Sequence, residues 1–187
     1  MPMLFALALS VGVLAVIDTW LYVGPLATTA LAGLVWISFI AWGCHFHSGG
    51  GVKGMTTAIV CMSFGALVGM VAVILAGGAF AGLGVMAAPV AVGIGAAVIC
   101  LASALPLLST IPASVYGFAS IAGPILLAGL APTEAIVPVV LSVIIGALFG
   151  IVSEYVANAL GKKPPTAEAE VLGAEATRTG STTTTTV

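Results

Sequence analysis

Charged side chains are the scarcest feature of this sequence. Only 5% of its 187 residues are charged, six of them acidic and four basic, whereas 61% are hydrophobic. A soluble globular domain carries roughly 25% charged residues, which cover its surface. The shortage excludes an ordinary soluble domain, and it also leaves no basic face for nucleic acid, so we expect no nucleic-acid partner. We interpret the chain as a membrane protein.

Cysteines and catalytic motifs are also scarce. Cys44, Cys61 and Cys100 lie within apolar runs, and an odd, scattered set of three does not form a disulfide framework. The segment CHFH at 44–47 is a poor metal site, because adjacent helical residues face different directions. The sequence has no serine elbow, zinc-protease motif or dinucleotide fingerprint. We therefore expect no enzymatic activity, no cofactor and no metal site.

Long apolar runs dominate what remains. A bilayer crossing takes on the order of 20 apolar residues, and without strict alternation such runs favour helices over a barrel. The predicted fold is all-α, a polytopic membrane protein with one domain at residues 1–160 that contains six transmembrane helices. The predicted spans are 3–23, 25–45, 55–76, 83–105, 112–130 and 135–160. The polar, Pro-containing segment 161–187 is predicted to be a disordered cytoplasmic tail.

The few basic residues indicate an orientation, because cytoplasmic loops carry the excess of Lys and Arg. Lys53 lies in the glycine-rich turn after the second predicted span, and Lys162, Lys163 and Arg178 follow the sixth. With six spans all four positions lie on the same side. We therefore expect both termini in the cytoplasm, with Lys53, Lys162 and Lys163 as topology anchors.

The glycine-rich turn itself, SGGGVKG at 48–54, has two interpretations. Consecutive glycines can form a nest of backbone N–H groups that binds an anion, and Lys53 would lie beside it. The segment lacks the spacing of a P-loop, so a nucleotide site is not expected. We favour a flexible cytoplasmic turn.

Two pairs of segments indicate an internal repeat. The segment at 10–13, SVGV, is similar to AVGI at 91–94, and GALVG at 65–69 is similar to GALFG at 146–150. Both pairs are offset by 81 residues, which predicts two inverted three-helix repeats, an arrangement typical of transporters. Spans two and five align only after a shift of about seven residues. The alternative is chance similarity in a chain rich in glycine and alanine.

Pairs of glycines one helical turn apart predict close contacts between helices. Gly65 with Gly69, Gly146 with Gly150, and Gly117 each present a small surface against which another backbone can pack. We interpret these glycines as helix-packing positions. The alternative is that they line a path for a solute.

The candidate residues for a solute path are the hydroxyl and aromatic side chains of spans two and five, the expected central pair, and one carboxylate in span one. They are Trp36, Ser38, Trp42, Ser114, Tyr116, Ser120 and Asp18. A carboxylate within a bilayer costs a few kcal/mol and is a functional hypothesis by default, here a pore mouth or a proton carrier. The alternative is hydration at the interface beside Trp20. Glu154 is considered for the same roles, and the alternative is that it shares its interface with Lys162.

Several residues also occur in an order typical of one family. They are Trp36 and Phe39, Phe46 followed by GGVKG at 50–54, Pro112 with Gly117, and Gly146 with Gly150. In these residues the sequence resembles bacterial inner-membrane proteins of the YcdZ type, a domain of unknown function, over roughly residues 10–155. The resemblance implies a multi-span protein of the bacterial cytoplasmic (inner) membrane, and it brings no established substrate.

Three functions fit these observations. The first is a homo-oligomeric passive channel or facilitator for a small polar neutral solute, with its path near spans two and five. The second is a proton-coupled small-solute transporter in which Asp18 changes its protonation state. The third is a structural or accessory membrane subunit without transport activity. The expected partners are the lipid bilayer, further copies of the chain and a small-molecule solute.

Overall fold

The described part of the chain is entirely helical. The computed structural model describes residues 1–161, which contain six α-helices and no strand, so the all-α prediction is confirmed for that range. The helices are α1 (Met3–Val23), α2 (Val35–His47), α3 (Gly51–Gly77), α4 (Ala87–Ala102), α5 (Ile111–Leu126) and α6 (Pro132–Leu160). Two short 3-10 helices, Ala81–Met86 and Pro106–Leu108, precede α4 and α5.

Four helical segments are long and apolar enough to cross a bilayer. They are Met3–Val23, Gly51–Gly77, Ala81–Ala102 and Pro132–Leu160, with mean hydropathies of 2.1 to 2.8. Hydrocarbon offers no water to the backbone, so an apolar chain satisfies its own N–H and C=O groups within helices. The protein is therefore a membrane protein, and crossing by all six helices stays a prediction.

The second helix is much shorter than the predicted span 25–45. α2 covers only thirteen residues, or about 20 Å. Pro25 lacks an N–H group, Gly33 has a φ of 75°, and the Thr29 hydroxyl bonds to backbone groups on both sides. The chain before Val35 therefore follows turns, because local turn chemistry overrides its apolar composition.

The third helix begins earlier than predicted, at Gly51 instead of residue 55. Lys53 thus lies in the first turn of α3 and not in a loop, which corrects the interpretation of 48–54 as a flexible turn. The change of direction is confined to Gly49, Gly50 and Gly51, whose φ angles are 95°, 68° and 59°. Glycine adopts this left-handed conformation without steric cost.

The other boundaries shift for similar reasons. α4 begins at Ala87 and not at 83, since Gly84, with a φ of 56°, interrupts the helical conformation before it. α5 ends at Leu126, short of residue 130, and Gly129 follows with a φ of 70°. α6 begins at Pro132, because proline is tolerated in a first helical turn.

Helices α3 and α6 form the centre of the bundle. They pack on each other, α1 and α2 pack on α6, and α4 and α5 pack on α3. The expectation that spans two and five form the central pair is therefore wrong. The last helix of each three-helix half thus packs on the first two helices of the other half.

Buried positions recur between the halves at the offset found in the sequence. The buried residues of α1 include Ala6, Ser10 and Asp18, and those of α4 include Ala87, Ala91 and Ile99. Each residue of the second set lies 81 positions after its counterpart in the first. The two helices thus present the same face to their neighbours.

The closest contacts between helices recur in the same way. A Cβ at Gly146 would collide with the backbone of Ser38, and a Cβ at Gly65 would collide with the backbone of Ser114. The two glycines are 81 positions apart and the two serines 76. α2 and α5 therefore correspond after a shift of five residues, where the sequence indicated about seven.

Alanine at either contact glycine is expected to destabilise the protein. In Gly65→Ala and Gly146→Ala the new methyl group would stand against the backbone of the facing helix, so each should lower the free energy of unfolding by about 2 kcal/mol or more. The measurement is denaturant unfolding in detergent micelles. Gly12→Ala and Gly93→Ala are matched controls, since no atom lies within 4 Å of the added Cβ. Equal effects at all four positions would contradict the assignment.

Candidate functional site

Buried polar side chains line the interface where α1 and α2 pack on α6. We call this set the polar seam. It consists of Tyr22, Asp18, Ser38 and Ser142 toward one end, Ser10, Trp42 and Ser153 in the middle, and His45 and Glu154 at the other end. All except Glu154 are buried. In a chain with so few polar residues, nine of them share one interface.

The first part of the polar seam surrounds Asp18. The carboxyl group is fully buried and neighbours the Ser38 hydroxyl, and the Tyr22 hydroxyl neighbours those of Ser142 and Ser38. Within residues 1–161, none of these oxygen atoms has a hydrogen-bond partner of standard geometry. Asp18 therefore faces the interior of the bundle, which argues against its hydration beside Trp20.

The middle of the polar seam is fully hydrogen-bonded. The Trp42 Nε1–H donates to Ser153 Oγ at 3.0 Å, and that hydroxyl donates to the Gly150 carbonyl at 2.7 Å. The Ser10 hydroxyl donates to the Ser153 carbonyl at 2.8 Å. These bonds join α1, α2 and α6 at one level, so they hold the three helices in register.

The last part of the polar seam is a histidine–carboxylate pair at the start of α3. His45 Nε2 lies 3.1 Å from Glu154 Oε2, and the Gly51 N–H donates to the same oxygen at 2.6 Å. His45 is fully buried, whereas Glu154 is 34% exposed. A helix N-terminus favours an anion through its free N–H groups and its dipole.

The glycine turn does not form an anion nest, because of its three N–H groups those of Gly49 and Gly50 donate to the Phe46 and His45 carbonyls and only that of Gly51 donates to Glu154. A Cβ at Gly50 would stand 2.9 Å from Glu154 Oε2, so glycine is needed there both for its φ of 68° and for space. The start of α3 therefore binds a carboxylate of the protein through one backbone N–H group. Lys53 does not pair with this carboxylate and lines a cavity with Pro106.

The predicted solute-path residues do not converge on one place. Asp18, Ser38 and Trp42 belong to the polar seam. Ser114 and Ser120 are buried on α5, which packs on α3. Trp36 is 71% exposed on the surface of α2, and Tyr116 lies against the His47 ring, with ring centroids 5.9 Å apart. The structure thus divides the set between the two halves and the outer surface.

The packing and topology residues are placed as follows. Gly69 and Gly117 pack on neighbouring helices, as Gly65 and Gly146 do, and Gly150 packs on the His45 ring. Lys53 lies in the first turn of α3. Lys162, Lys163, Arg178 and the predicted tail from residue 162 lie outside the described residues.

The two halves differ in what they bury at corresponding positions. At the offsets of 81 and 76, Asp18 corresponds to Ile99, His45 to Ile121, Trp42 to Phe118, and Glu154 to Val73. At these four positions the same packing is thus achieved around α3 with apolar side chains, whereas Ser38 corresponds to the buried Ser114. Because the fold does not need polar groups there, the polar seam is the candidate functional site.

Sequence reasoning missed most of the polar seam. Tyr22, Ser10, Ser142 and Ser153 were not predicted, and His45 was considered within the segment CHFH at 44–47. The signal was partly available in the repeat, since a comparison position by position places polar residues such as Asp18 and Glu154 opposite apolar residues such as Ile99 and Val73. The offset of α2 and α5, which differs from that of the other helices, obscured it.

Comparison with known proteins gives one match. A family model described as "Protein of unknown function (DUF1097)" matches residues 8–158. That range includes most of α1, all of α2 to α5 and nearly all of α6, and hence the whole polar seam. No curated protein and no solved structure matches the chain.

The hydrogen bond between Trp42 and Ser153 is expected to stabilise the fold. Trp42→Phe and Ser153→Ala should each lower the free energy of unfolding by about 1 kcal/mol or more, and the double variant should lose less than the sum. The readout is unfolding followed by circular dichroism in micelles. Trp36→Phe is the matched control, since that ring is exposed and should change stability by about 0.5 kcal/mol or less. Equal effects of both tryptophan changes would refute the assignment.

The position of the Glu154 carboxylate beside Gly50 predicts that alanine substitutions at two adjacent glycines differ in their effect on stability. Gly49→Ala and Gly50→Ala both place a side chain at positive φ, which costs about 1–2 kcal/mol. Only Gly50→Ala also pushes on the carboxylate, so it should destabilise more. In a Glu154→Ala background the difference should vanish, as measured by thermal unfolding. A difference between the two glycine variants that persists in the Glu154→Ala background would show that the carboxylate does not cause it.

Proposed function

This chain belongs to a family of proteins of unknown function, DUF1097, and from its own residues we propose that it is a proton-coupled transporter of a small polar solute in which Asp18 carries the proton. The fully buried carboxyl group of Asp18, which has no basic partner within residues 1–161, is the observation that carries the proposal. A buried ionisable group without a partner is strongly destabilising, so its presence within a membrane span indicates a function.

The hydroxyl groups around Asp18 indicate the class of solute. Tyr22, Ser38 and Ser142 can each donate and accept a hydrogen bond, and none has a partner of standard geometry within residues 1–161. A small molecule with hydroxyl, amide or carboxyl groups would satisfy these atoms. The solute we propose is therefore small and polar, and it binds between α1, α2 and α6.

Close packing supports coupled transport over an open channel. The backbones of α2 and α6 meet at Ser38 and Gly146, beside the cluster, so this seam holds no open passage at that level. A solute would reach Asp18 only when the helices move. The passive facilitator along spans two and five stays a prediction, as do homo-oligomer formation and the absence of enzymatic activity.

Two inverted halves would supply the movement. We propose that all six helices cross the membrane and that each set of three forms one repeat, which the recurring contacts at offsets of 81 and 76 support. Halves related in this way alternate access by rocking about the central pair, here α3 and α6. The solute site then lies on one side of that pair.

The proposed topology places both termini in the cytoplasm of a bacterium. The Met1 ammonium group donates to the Leu160 carbonyl at 3.4 Å, which supports a common side for the ends of α1 and α6. Glu154, near the end of α6, bonds to the start of α3, so Lys53 lies at the same end. Basic residues on one side indicate the cytoplasm.

Proton movement driven by a solute tests the proposal directly. Purified protein is reconstituted into liposomes that contain a pH-sensitive dye, and urea, glycerol, short amides and short organic acids are added one at a time. A coupled solute should change the internal pH, and Asp18→Asn, which cannot exchange a proton, should slow this change by about tenfold or more. Glu134→Gln, which alters the acidic residue in the first turn of α6, is the matched control.

Other results of these experiments would favour the passive facilitator or the accessory subunit. Light scattering that shows solute entry without a change in pH, and equal entry in Asp18→Asn, would overturn coupling in favour of a passive facilitator. The absence of any flux, together with a stoichiometric partner that co-purifies from the membrane, would favour an accessory subunit.

A further inference from the structure

The histidine–carboxylate pair at the end of the polar seam is the strongest remaining site, and we propose that His45 and Glu154 form the proton-exchange site between Asp18 and the water at that face of the membrane. The inference rests on the proposed function, because it supplies the proton that Asp18 carries. The inference gives a role to His45 and Glu154, neither of which binds the solute in the proposed function.

The two side chains differ in exposure, which indicates the direction in which a proton would move through the pair. Glu154 is about one-third exposed and lines a small cavity of about 70 Å³ with Tyr155 and Asn158. His45 lies immediately behind it and is fully buried. A proton taken from water by the carboxylate thus reaches the interior in one transfer over 3.1 Å.

The histidine ring is held in the orientation that this transfer needs. A Cβ at Gly150 would stand 2.7 Å from the ring, and a Cβ at Gly54 would stand 3.3 Å from Nδ1. Both glycines thus allow α6 and α3 to pack closely on the imidazole. The packing keeps Nε2 directed at Glu154, and it leaves Nδ1 buried without a partner among the described residues.

The transfer balances in protons at each step. The Glu154 carboxylate first binds a proton from water and forms an O–H bond. That bond breaks as an Nε2–H bond forms on a neutral His45 protonated at Nδ1, which gives an imidazolium and restores the carboxylate. The Nδ1–H bond of His45 then breaks as its proton passes to a water that enters beside Gly54 when the helices move, and His45 is left neutral with its proton on Nε2. The reverse sequence, which carries a proton from Asp18 out to water, restores the Nδ1 tautomer.

The path from His45 to Asp18 runs along α2. Ser38, which neighbours Asp18, and Trp42 lie seven and three residues before His45, so both occupy the helix face that His45 shares. Seven residues of helix span about 10 Å. Three or four waters at a spacing of about 2.8 Å cover that distance, and they enter when the halves move.

Among the residues that the structure describes, few other ionisable groups lie near the pair. Tyr155 shares the cavity of Glu154, and the Met1 ammonium group bonds to the Leu160 carbonyl. Lys53 lines a different cavity, formed by α3 and the segment before α5. Within residues 1–161 the contact of His45 with Glu154 is the one salt bridge. The proton therefore has one pair of adjacent acid and base groups at this end of the polar seam.

The rate at which Asp18 exchanges its proton tests the inference. The full chain in lipid nanodiscs is subjected to a pH jump, and the carboxyl C=O stretch of Asp18 is followed by time-resolved infrared spectroscopy. The band is identified by its loss in Asp18→Asn. In His45→Gln and Glu154→Gln it should change about tenfold or more slowly but reach the same final amplitude. His47→Gln and Glu134→Gln are matched controls and should keep the wild-type rate.

The possible outcomes separate this inference from the proposed function. An Asp18 band that changes at the wild-type rate in both pair variants would overturn the exchange site and leave Asp18 as the proton carrier. An Asp18 band that never changes with pH would overturn both. If His45→Gln does not fold, Glu154→Gln decides the matter, since that side chain is partly in water and keeps its size.

Discussion

The structure depends on two places where helix backbones touch. Gly146 lets α6 meet the backbone of Ser38, and Gly65 lets α3 meet the backbone of Ser114. In a bilayer no hydrophobic force drives apolar helices together, so close packing at small residues must hold them. These contacts place α2 on α6 and α5 on α3. The other helices, α1 and α4, then pack on this group of four helices and do not determine its geometry.

The two related interfaces bury different side chains at corresponding positions. Where α4 and α5 pack on α3, apolar residues such as Ile99 and Ile121 fill the interface beside the buried Ser114 and Ser120. Where α1 and α2 pack on α6, Asp18 and His45 occupy the corresponding positions, and burial of such a group costs free energy unless it is paired. This difference in side chains sets the polar seam apart from the interface that repeats its packing.

The helices and the offset of 81 residues were predictable, because both are local properties of the sequence. The short α2 was not, since Pro25, Thr29 and Gly33 turn a chain whose composition is still apolar. Asp18 was found because one carboxylate in an apolar run is visible without a structure. Its neighbour Ser142 was not found, because a serine in a helix has no signature until its surroundings are known.

The sequence by itself determined that the chain is a helical membrane protein with repeated segments, because hydropathy and periodicity are summed over residues that are adjacent in the chain. Only the tertiary structure decided which polar groups meet. His45 and Glu154 are 109 positions apart, and Trp42 and Ser153 are 111 apart. Such pairs form when α2 and α6 pack in one register, and that register follows from where a glycine lets two backbones approach.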